Sequence, residues 1–447
     1  MKNDIFLEKN NKLGLMQSLF IAAAFTSSFD IFLIVNLGLN FRISQILLLL
    51  PICVVMANML EKKFIAPLGI KWLILWSLFI LIFIPNGSFP ERSAGYFAWL
   101  VINIATIFAC VQIFSSPGKI KLLMKWYIYS FVALALYGLL QFVSPVAGLG
   151  DFLLVQQWWI PGVLVRINGF SYEPSFYSTY LLLGWIICAY FMEVRNSLFS
   201  RRKLKFCFYT ITLAMILSSS RMGILMMILW YVQHPVRFFM KLLRGEIDRK
   251  LAKIVVAMVV LLAGIVMASI YVIGIDNIAF LFQGVGLFGG ASHSVNDREN
   301  GLRDTLALFF NSPFIGTSLG GVAPGIANLH GVVNPDFETV KFYEGNAIFA
   351  EVLAASGIFG FIPFMIYIFM IVVQPMRLAK KLAPEQAQIL MALCFALVFE
   401  FLILQFNQNI LRQYLWMHIS VMAAVYAVFK RQSVTSPAPD DQIILKV

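Results

Sequence analysis

The sequence predicts an all-α polytopic integral membrane protein with about twelve transmembrane helices and one large extracytoplasmic loop. Three observations predict this class. Of its 447 residues, 60% are hydrophobic and only 13% are charged, against about 25% charged residues in soluble domains. The mean hydropathy is +0.83. Apolar runs of the length that crosses a bilayer, about 20 residues, recur along most of the chain.

Each apolar run defines one expected helix. Two neighbouring runs, 205–220 and 222–239, are also compatible with a single long helix that contains Arg221. The expected spans are 14–38, 43–60, 71–86, 95–115, 126–144, 174–193, 205–220, 222–239, 254–275, 346–373, 387–407 and 413–429.

The distribution of lysine and arginine predicts the orientation. With the N-terminus inside, 26 of the 34 basic residues fall in cytoplasmic segments, as the positive-inside rule requires. Merging 205–220 with 222–239 would move the basic loop 240–253 outside, so two spans and cytoplasmic termini are favoured. We expect one membrane domain over 1–430 and a flexible cytoplasmic tail over 431–447.

The outer side is nearly free of lysine but keeps arginine. The net charge of +12 therefore reports topology, and we expect no nucleic-acid partner. Arginine binds phosphate or carboxylate through two parallel hydrogen bonds, which predicts an anion site. An unrelated surface position is an equally good interpretation of Arg42, Arg92 and Arg412. The outer basic residues are Arg42, Arg92, Arg166, Arg221, Arg298, Arg303, Lys341 and Arg412.

Glu173 lies just before Pro174 at the start of an expected span, seven residues after Arg166. Proline suits the first turn of a helix, and a carboxylate there is favoured by the helix dipole. Glu173 is therefore either a helix-start residue, or a group that pairs with an arginine or deprotonates a hydroxyl.

Arg221, in the stretch SSSRMG, is expected at a turn between two spans. Ionisable residues near membrane depth are costly and indicate function by default. Snorkelling of the long side chain towards the interface is the alternative.

The large outer loop, about 276–345, contains a helical pattern over 299–311 that the stretch NSPFIGTSLGG ends. Arg298 and Arg303 lie among acidic residues in this loop, so they either bind substrate or form weak local ion pairs.

The loop ends at YEGN, where Glu344 and Asn346 open the next expected span. Glu351 falls in the first turns of that span, and Gly357 and Gly360 suit close helix packing.

In this order and spacing, these features resemble the O-antigen polymerase/ligase family of bacterial envelope glycosyltransferases. The resemblance covers roughly 160–362. The matching residues are Arg166, Gly169, Glu173, Pro174 and Ser175; Ser220, Arg221 and Gly223; Arg298, Pro313, Gly316 and Gly320; and Asn346, Glu351, Gly357 and Gly360.

The resemblance implies a GT-C-type glycosyltransferase of the bacterial inner membrane that polymerises undecaprenyl-pyrophosphate-linked oligosaccharide repeat units at the periplasmic face. The product would be O-antigen or a related surface polysaccharide. The implied partners are the lipid-linked oligosaccharide as donor and acceptor, membrane lipids and a chain-length-regulating membrane protein. No metal or other cofactor is expected, because the lipid pyrophosphate is the leaving group.

The site residues carried over are of two kinds. Glu173, Arg221 and Arg298 are the expected catalytic residues. The expected pyrophosphate- or substrate-binding residues are Arg166, Arg221, Arg298, Arg303, Tyr172, His330, Glu344 and Asn346.

Two alternative functions stay open. Ligases of this family carry a His-Asn pair where this chain has Gly345–Asn346, which favours the polymerase, but His330 could fold back into the site of a ligase. A lipid-linked oligosaccharide flippase is the alternative from another class. The residue that most favours a flippase is Glu400, an ionisable residue within an expected span. Its expected partner is Arg412 or a neighbouring helix.

Overall fold

The computed structural model is mostly helical. It describes residues 13–36, 40–61, 64–87, 89–149, 152–160, 164–243, 293–332, 336–406 and 410–435, with isolated helical positions between 252 and 267. Most of the expected span 254–275, the start of the large loop and residues 436–447 lie outside the described residues.

The described elements follow the apolar runs closely. The α-helices are α1 (Leu15–Phe25), α2 (Ile43–Glu61), α3 (Ile70–Ile82), α4 (Pro90–Ile113), α5 (Pro117–Val143), α6 (Pro174–Val194), α7 (Arg201–Ser218), α8 (Arg221–Leu243), α9 (His293–Asn311), α10 (Val322–Leu329), α11 (Phe337–Val340), α12 (Ile348–Ala379), α13 (Pro384–Ile403) and α14 (Gln413–Thr435). The strands are β1 (Ile34–Asn36), β2 (Asn40–Arg42), β3 (Gln157–Ile160) and β4 (Leu164–Arg166), paired as two antiparallel hairpins.

Five helices, α4, α5, α6, α12 and α13, are long and apolar enough to cross a membrane by length and composition. Membrane character is therefore supported, and the count of twelve spans stays a prediction.

The core is built around α6 and α14: α6 packs on α7 and α13, and α14 packs along α4. Side chains from Ile410 to Phe429 are almost continuously buried, as expected for a helix surrounded by other helices.

The first expected span, 14–38, is wrong in its second half. α1 ends at Phe25, where the Thr26 hydroxyl donates to the carbonyl of Ala22 (3.0 Å) and that of Ser27 to Ala24 (2.9 Å). Side-chain hydroxyls that bond the backbone in this way compete with helix continuation. The chain then turns into the β1–β2 hairpin.

Two helices form from 205–220 and 222–239, as predicted. Ser219, between α7 and α8, has a left-handed backbone (φ 54°), and the chain reverses there. The start of α8 lies against Ser178 near the start of α6, while Trp230 farther along donates to Glu193 near the end of α6 (2.9 Å). α8 therefore runs parallel to α6, with Arg221 at the same end of the bundle as Glu173.

Hydrogen bonds between distant segments define one end of the bundle, which we call the loop end. There the amide of Asp30 donates to the carbonyl of Phe170 (2.9 Å), and the amide of Ile348 donates to Leu404 (3.1 Å). The loop end comprises the described residues of the ranges 26–42, 83–90, 144–173, 219–221, 312–347 and 404–412. The described parts of the lysine-rich segments, such as 195–205 and 377–381, lie at the opposite, basic end.

The segment after α9 is fastened to a break in α12. Gly357 interrupts that helix with a backbone that only glycine adopts readily (φ 57°, ψ −175°). The freed amide of Ile358 donates to the carbonyl of Pro313 (2.8 Å), and the amide of Ser318 donates to Ala355 (2.7 Å). The loop thus satisfies backbone groups that the break exposes.

Gly316 should be essential to this docking. Its φ is +71°, and a Cβ there would lie 2.5 Å from the backbone of Ala355. Gly331 is a matched control, because its φ is +78° with no atom near a Cβ. We expect Gly316→Ala to destabilise the protein by about 1–3 kcal/mol more than Gly331→Ala, the usual cost of overpacking. Thermal unfolding in detergent measures the difference, and equal losses would contradict the docking geometry.

Candidate functional site at the loop end

Arg166 is positioned by the β3–β4 hairpin. It ends β4 opposite Gln157, whose side-chain oxygen accepts a hydrogen bond from Nη1 of Arg166 (2.9 Å). The hairpin is fixed to the bundle through Gln141 on α5, which donates to the carbonyl of Gly169 (2.9 Å). The guanidinium is therefore held at the loop end by a backbone that α5 orients.

Glu173 is the N-cap residue of α6, and its extended backbone leads into Pro174. Its carbonyl accepts the amides of Phe176 (3.1 Å) and Tyr177 (3.2 Å). The carboxylate makes no capping hydrogen bond to the helix amides and instead accepts the hydroxyl of Ser175 (2.9 Å). The backbone of Glu173 thus starts the helix, and its carboxylate is not used as a helix cap.

Arg166 lies within electrostatic range of both Glu173 and Arg221. Partial burial lowers the pKa of Arg166, the positive charge of Arg221 lowers it further, and the carboxylate of Glu173 opposes both effects. Arg221 itself is exposed at the first residue of α8. We call these three residues the transfer group; it joins the β3–β4 hairpin and the start of α6 to the start of α8, which lies about 50 residues farther along the chain.

A second group is centred on the buried Arg92 at the start of α4. Its guanidinium donates to the carbonyl of Gly320 (2.8 Å), to the hydroxyl of Tyr96 (2.8 Å) and to the carboxylate of Glu344. Burial raises the pKa of Glu344, and the charge of Arg92 opposes that effect. Glu344, which the sequence made a substrate-binding candidate, is therefore bound to an arginine and fastens the loop to α4.

A third group is centred on Asp30. One of its oxygens lies 2.9 Å from Nη2 of Arg42 and the other lies 3.3 Å from Nη1 of Arg412. The guanidinium of Arg412 also lies over the ring of Phe176, 3.6 Å from its centroid, an arrangement that favours a cation. Phe176 belongs to the first turn of α6, so Arg412 links this group to the start of that helix.

Sequence reasoning missed the structural importance of Arg92 and Arg412, for which a surface position was an equal alternative. Both side chains are buried and paired. The expected Glu400–Arg412 pair is wrong, because Arg412 binds Asp30, and the Glu400 carboxylate has no hydrogen-bond partner among the described residues. Asp30, a charge inside an apolar run, was the available signal, since such a residue requires a partner.

Of the other candidates, Arg303 lies on α9, His330 follows α10 and Tyr172 precedes α6. Arg303 is exposed, 3.9 Å from Glu299 one turn earlier on α9. His330 Nε2 lies 2.8 Å from Asp304. Tyr172 is exposed next to Glu173.

The expected start of the late span is two residues early, because α12 begins at Ile348 after Ala347, which has a positive φ. The amide of Asn346 donates to the hydroxyl of Thr305 (3.2 Å) and so ties α9 to the start of α12. Arg298 lies on α9, and its side chain is outside the described residues.

Comparison of the sequence with protein-family models gives no match, and comparison with curated proteins gives none either.

The Arg92–Glu344 pair should dominate the stability of this end. We expect Arg92→Gln to cost about 1–3 kcal/mol, because it leaves the half-buried carboxylate of Glu344 without its charged partner. In a double-mutant cycle with Glu344→Gln, the coupling energy should be roughly 0.5–3 kcal/mol. Arg303→Gln, which removes an exposed pair, should change stability by less than about 0.5 kcal/mol. Denaturant unfolding of purified variants provides the measurement, and purely additive losses would argue against the pair.

Proposed function

We propose that this protein is a membrane glycosyltransferase that polymerises lipid-pyrophosphate-linked oligosaccharide repeat units. The observation that carries the proposal is the transfer group, in which Arg166 interacts electrostatically with Arg221 and with the carboxylate of Glu173 at one end of an apolar bundle. Two cations match a pyrophosphate, and a carboxylate beside them matches a hydroxyl that must lose its proton. The sequence motifs that resemble the O-antigen polymerase/ligase family carry all three of these residues.

In the proposed reaction, a hydroxyl of the acceptor repeat unit attacks the anomeric carbon of the donor sugar. The bond from that carbon to the pyrophosphate oxygen breaks, and the lipid pyrophosphate leaves with the electron pair. The hydroxyl proton passes to Glu173, and the configuration at the anomeric carbon inverts. Arg166 and Arg221 stabilise the charge that develops on the leaving group, which is the main catalytic contribution expected of such a site. No step uses a metal.

The pairing of the other charges supports this assignment of roles. Arg92 and Arg412 are each bound to a carboxylate and are therefore less able to neutralise a pyrophosphate. Glu344 is engaged by Arg92, whereas the described partner of Glu173 is the neutral Ser175 hydroxyl. Arg298 and Arg303 remain proposed contacts to the pyrophosphate, on the helix that packs against α12.

The proposal includes a location and partners. The basic end would face the cytoplasm of a bacterial inner membrane, by the positive-inside rule, and the loop end the periplasm. Twelve spans, a GT-C architecture, cytoplasmic termini and a chain-length-regulating partner belong to the same proposal. The product would be O-antigen or a related surface polysaccharide.

One observation favours an O-antigen ligase as the second candidate. The ring of His330 lies 5.7 Å from that of Tyr343, next to Glu344 and near Gly345–Asn346. A histidine from the loop therefore approaches the position where ligases carry theirs. The ligase would transfer finished polymer to lipid A-core by the same displacement.

The first test complements cells that lack the gene with Arg166→Gln, Arg221→Gln or the control Arg202→Gln, an exposed arginine at the basic end. Removing one transition-state contact typically costs 10²–10³-fold in rate, so both loop-end variants should lose the polysaccharide ladder on a gel. Arg202→Gln should keep it at equal membrane expression.

The carrier of the polysaccharide separates the two candidates. Single repeat units on the final acceptor in the Arg166→Gln cells would support the polymerase. Full-length polymer retained on the lipid carrier would identify a ligase. An unchanged ladder in both loop-end variants would refute the role of the transfer group.

Glu400 distinguishes an enzyme from a flippase. Its side chain is fully buried in α13 without a hydrogen-bond partner among the described residues. Since an isolated buried charge costs several kcal/mol, the neutral isostere should be accepted, and Glu400→Gln should keep both stability and the ladder. Loss of all surface polysaccharide in this variant, with repeat units accumulating on the cytoplasmic side, would instead favour the flippase.

A further inference from the structure

A cavity of about 250 Å³ opens beside the β1–β2 hairpin at the loop end, and the transfer group does not account for it. Its wall combines two aromatic side chains, Tyr96 and Trp99 of α4, with polar side chains from the α1–α2 connection and the start of α2. Asn40, one of these, is exposed, so the cavity is accessible from the hairpin side. The polar side chains are Asp30, Asn40, Arg42 and Gln45.

The polar wall is held in place before any ligand arrives. Asp30 is fixed between Arg42 and Arg412, at 2.9 and 3.3 Å. The side-chain oxygen of Gln45 accepts the backbone amide of Arg42 (2.8 Å). Such preorganisation reduces the entropy lost on binding.

The aromatic wall is also fixed. Trp99 meets the ring of Phe41 edge to face, with centroids 4.8 Å apart. The hydroxyl of Tyr96 accepts a hydrogen bond from Arg92 (2.8 Å). The rings therefore offer a rigid apolar surface beside a rigid polar one.

We infer that this cavity binds one pyranose ring of a saccharide. A sugar ring presents hydroxyls at its edge, which carboxylate, amide and guanidinium groups can bind together. It also presents C–H groups on its faces, which suit an aromatic wall. The volume falls just below the usual range for small-molecule pockets, about 300–1,000 Å³, and so suits a single ring.

The charges argue against a phosphate site. Arg42, the arginine in the wall, is paired with Asp30, and that carboxylate belongs to the same wall. An anion would meet both the paired guanidinium and the repelling carboxylate, whereas a neutral polyol can donate to Asp30 and accept from Arg42.

The inference deepens the proposed function and rests on it for the identity of the saccharide. Asp30 is paired with Arg412, and Arg412 lies over the ring of Phe176 at the start of α6. A sugar held in this cavity would therefore position the glycan chain beside the transfer group. The residues of this cavity would help to determine which repeat unit the enzyme accepts.

The test is saturation-transfer NMR on the purified full chain in detergent micelles. The probes are glucose, galactose, rhamnose, N-acetylglucosamine and glucuronic acid at millimolar concentration, with inorganic pyrophosphate as competitor. We expect at least one sugar to receive saturation, and its Kd to rise about fivefold or more in Trp99→Ala. Asn40→Ala should also raise the Kd, and because Asn40 is exposed, this substitution should leave the fold intact. Trp126→Ala removes a tryptophan away from the cavity and should leave the signal unchanged.

Three results would overturn the inference: no sugar of the panel receives saturation, Trp126→Ala weakens the signal as much as Trp99→Ala, or pyrophosphate displaces the sugar. The last would identify an anion site. This readout needs no catalysis, so it is independent of the ladder experiment. If the wild-type protein binds a sugar but Arg166→Gln keeps an intact ladder, the proposed function is refuted and the sugar site stands. If the wild-type protein binds no sugar but Arg166→Gln loses the ladder, the sugar site is refuted and the proposed function stands.

Discussion

The structure depends on how arginine charges are accommodated at the end of an apolar bundle. A guanidinium cannot lose its proton in a protein, so a buried arginine must find a carboxylate or leave a costly charge unpaired. Arg92 and Arg412 are buried in this way, and each recruits an acid from a distant segment: Glu344 from the large loop and Asp30 from the α1–α2 connection. These pairs decide where the connecting segments lie.

The two pairs also distinguish the arginines that hold the loops from those to which the proposed function assigns substrate binding. Arg92 and Arg412 are neutralised by their partners and hold the loops. Arg166 and Arg221 instead lie near each other, with Glu173 as the carboxylate that opposes their mutual repulsion. Neighbouring charges that shift a pKa in this way are common at functional sites. The same end thus contains these two ion pairs and the transfer group, to which the proposed function assigns pyrophosphate binding.

Much of the fold follows from local patterns. Apolar runs of spanning length predicted most of the described helices, and the charge distribution predicted the separation of α7 and α8 through the positive-inside rule. Proline after Glu173 predicted the start of α6. The first span failed because a run of hydroxyl residues, Thr26 to Ser28, ends the helix within an otherwise apolar stretch, and mean hydropathy does not detect side-chain bonds to the backbone.

The sequence by itself determined the membrane class, the two-helix arrangement around Arg221 and the candidacy of Arg166, Glu173 and Arg221. Composition, apolar run length and charge distribution are properties of the chain that need no partner. Only the tertiary structure decided which arginine meets which acid. Arg92 and Glu344 are 252 positions apart and Arg412 and Asp30 are 382 apart, and no local pattern specifies a pairing across such separations. The break at Gly357 and the loop docked in it were likewise decided by tertiary contact, because the backbone groups that the break exposes must be satisfied by another segment.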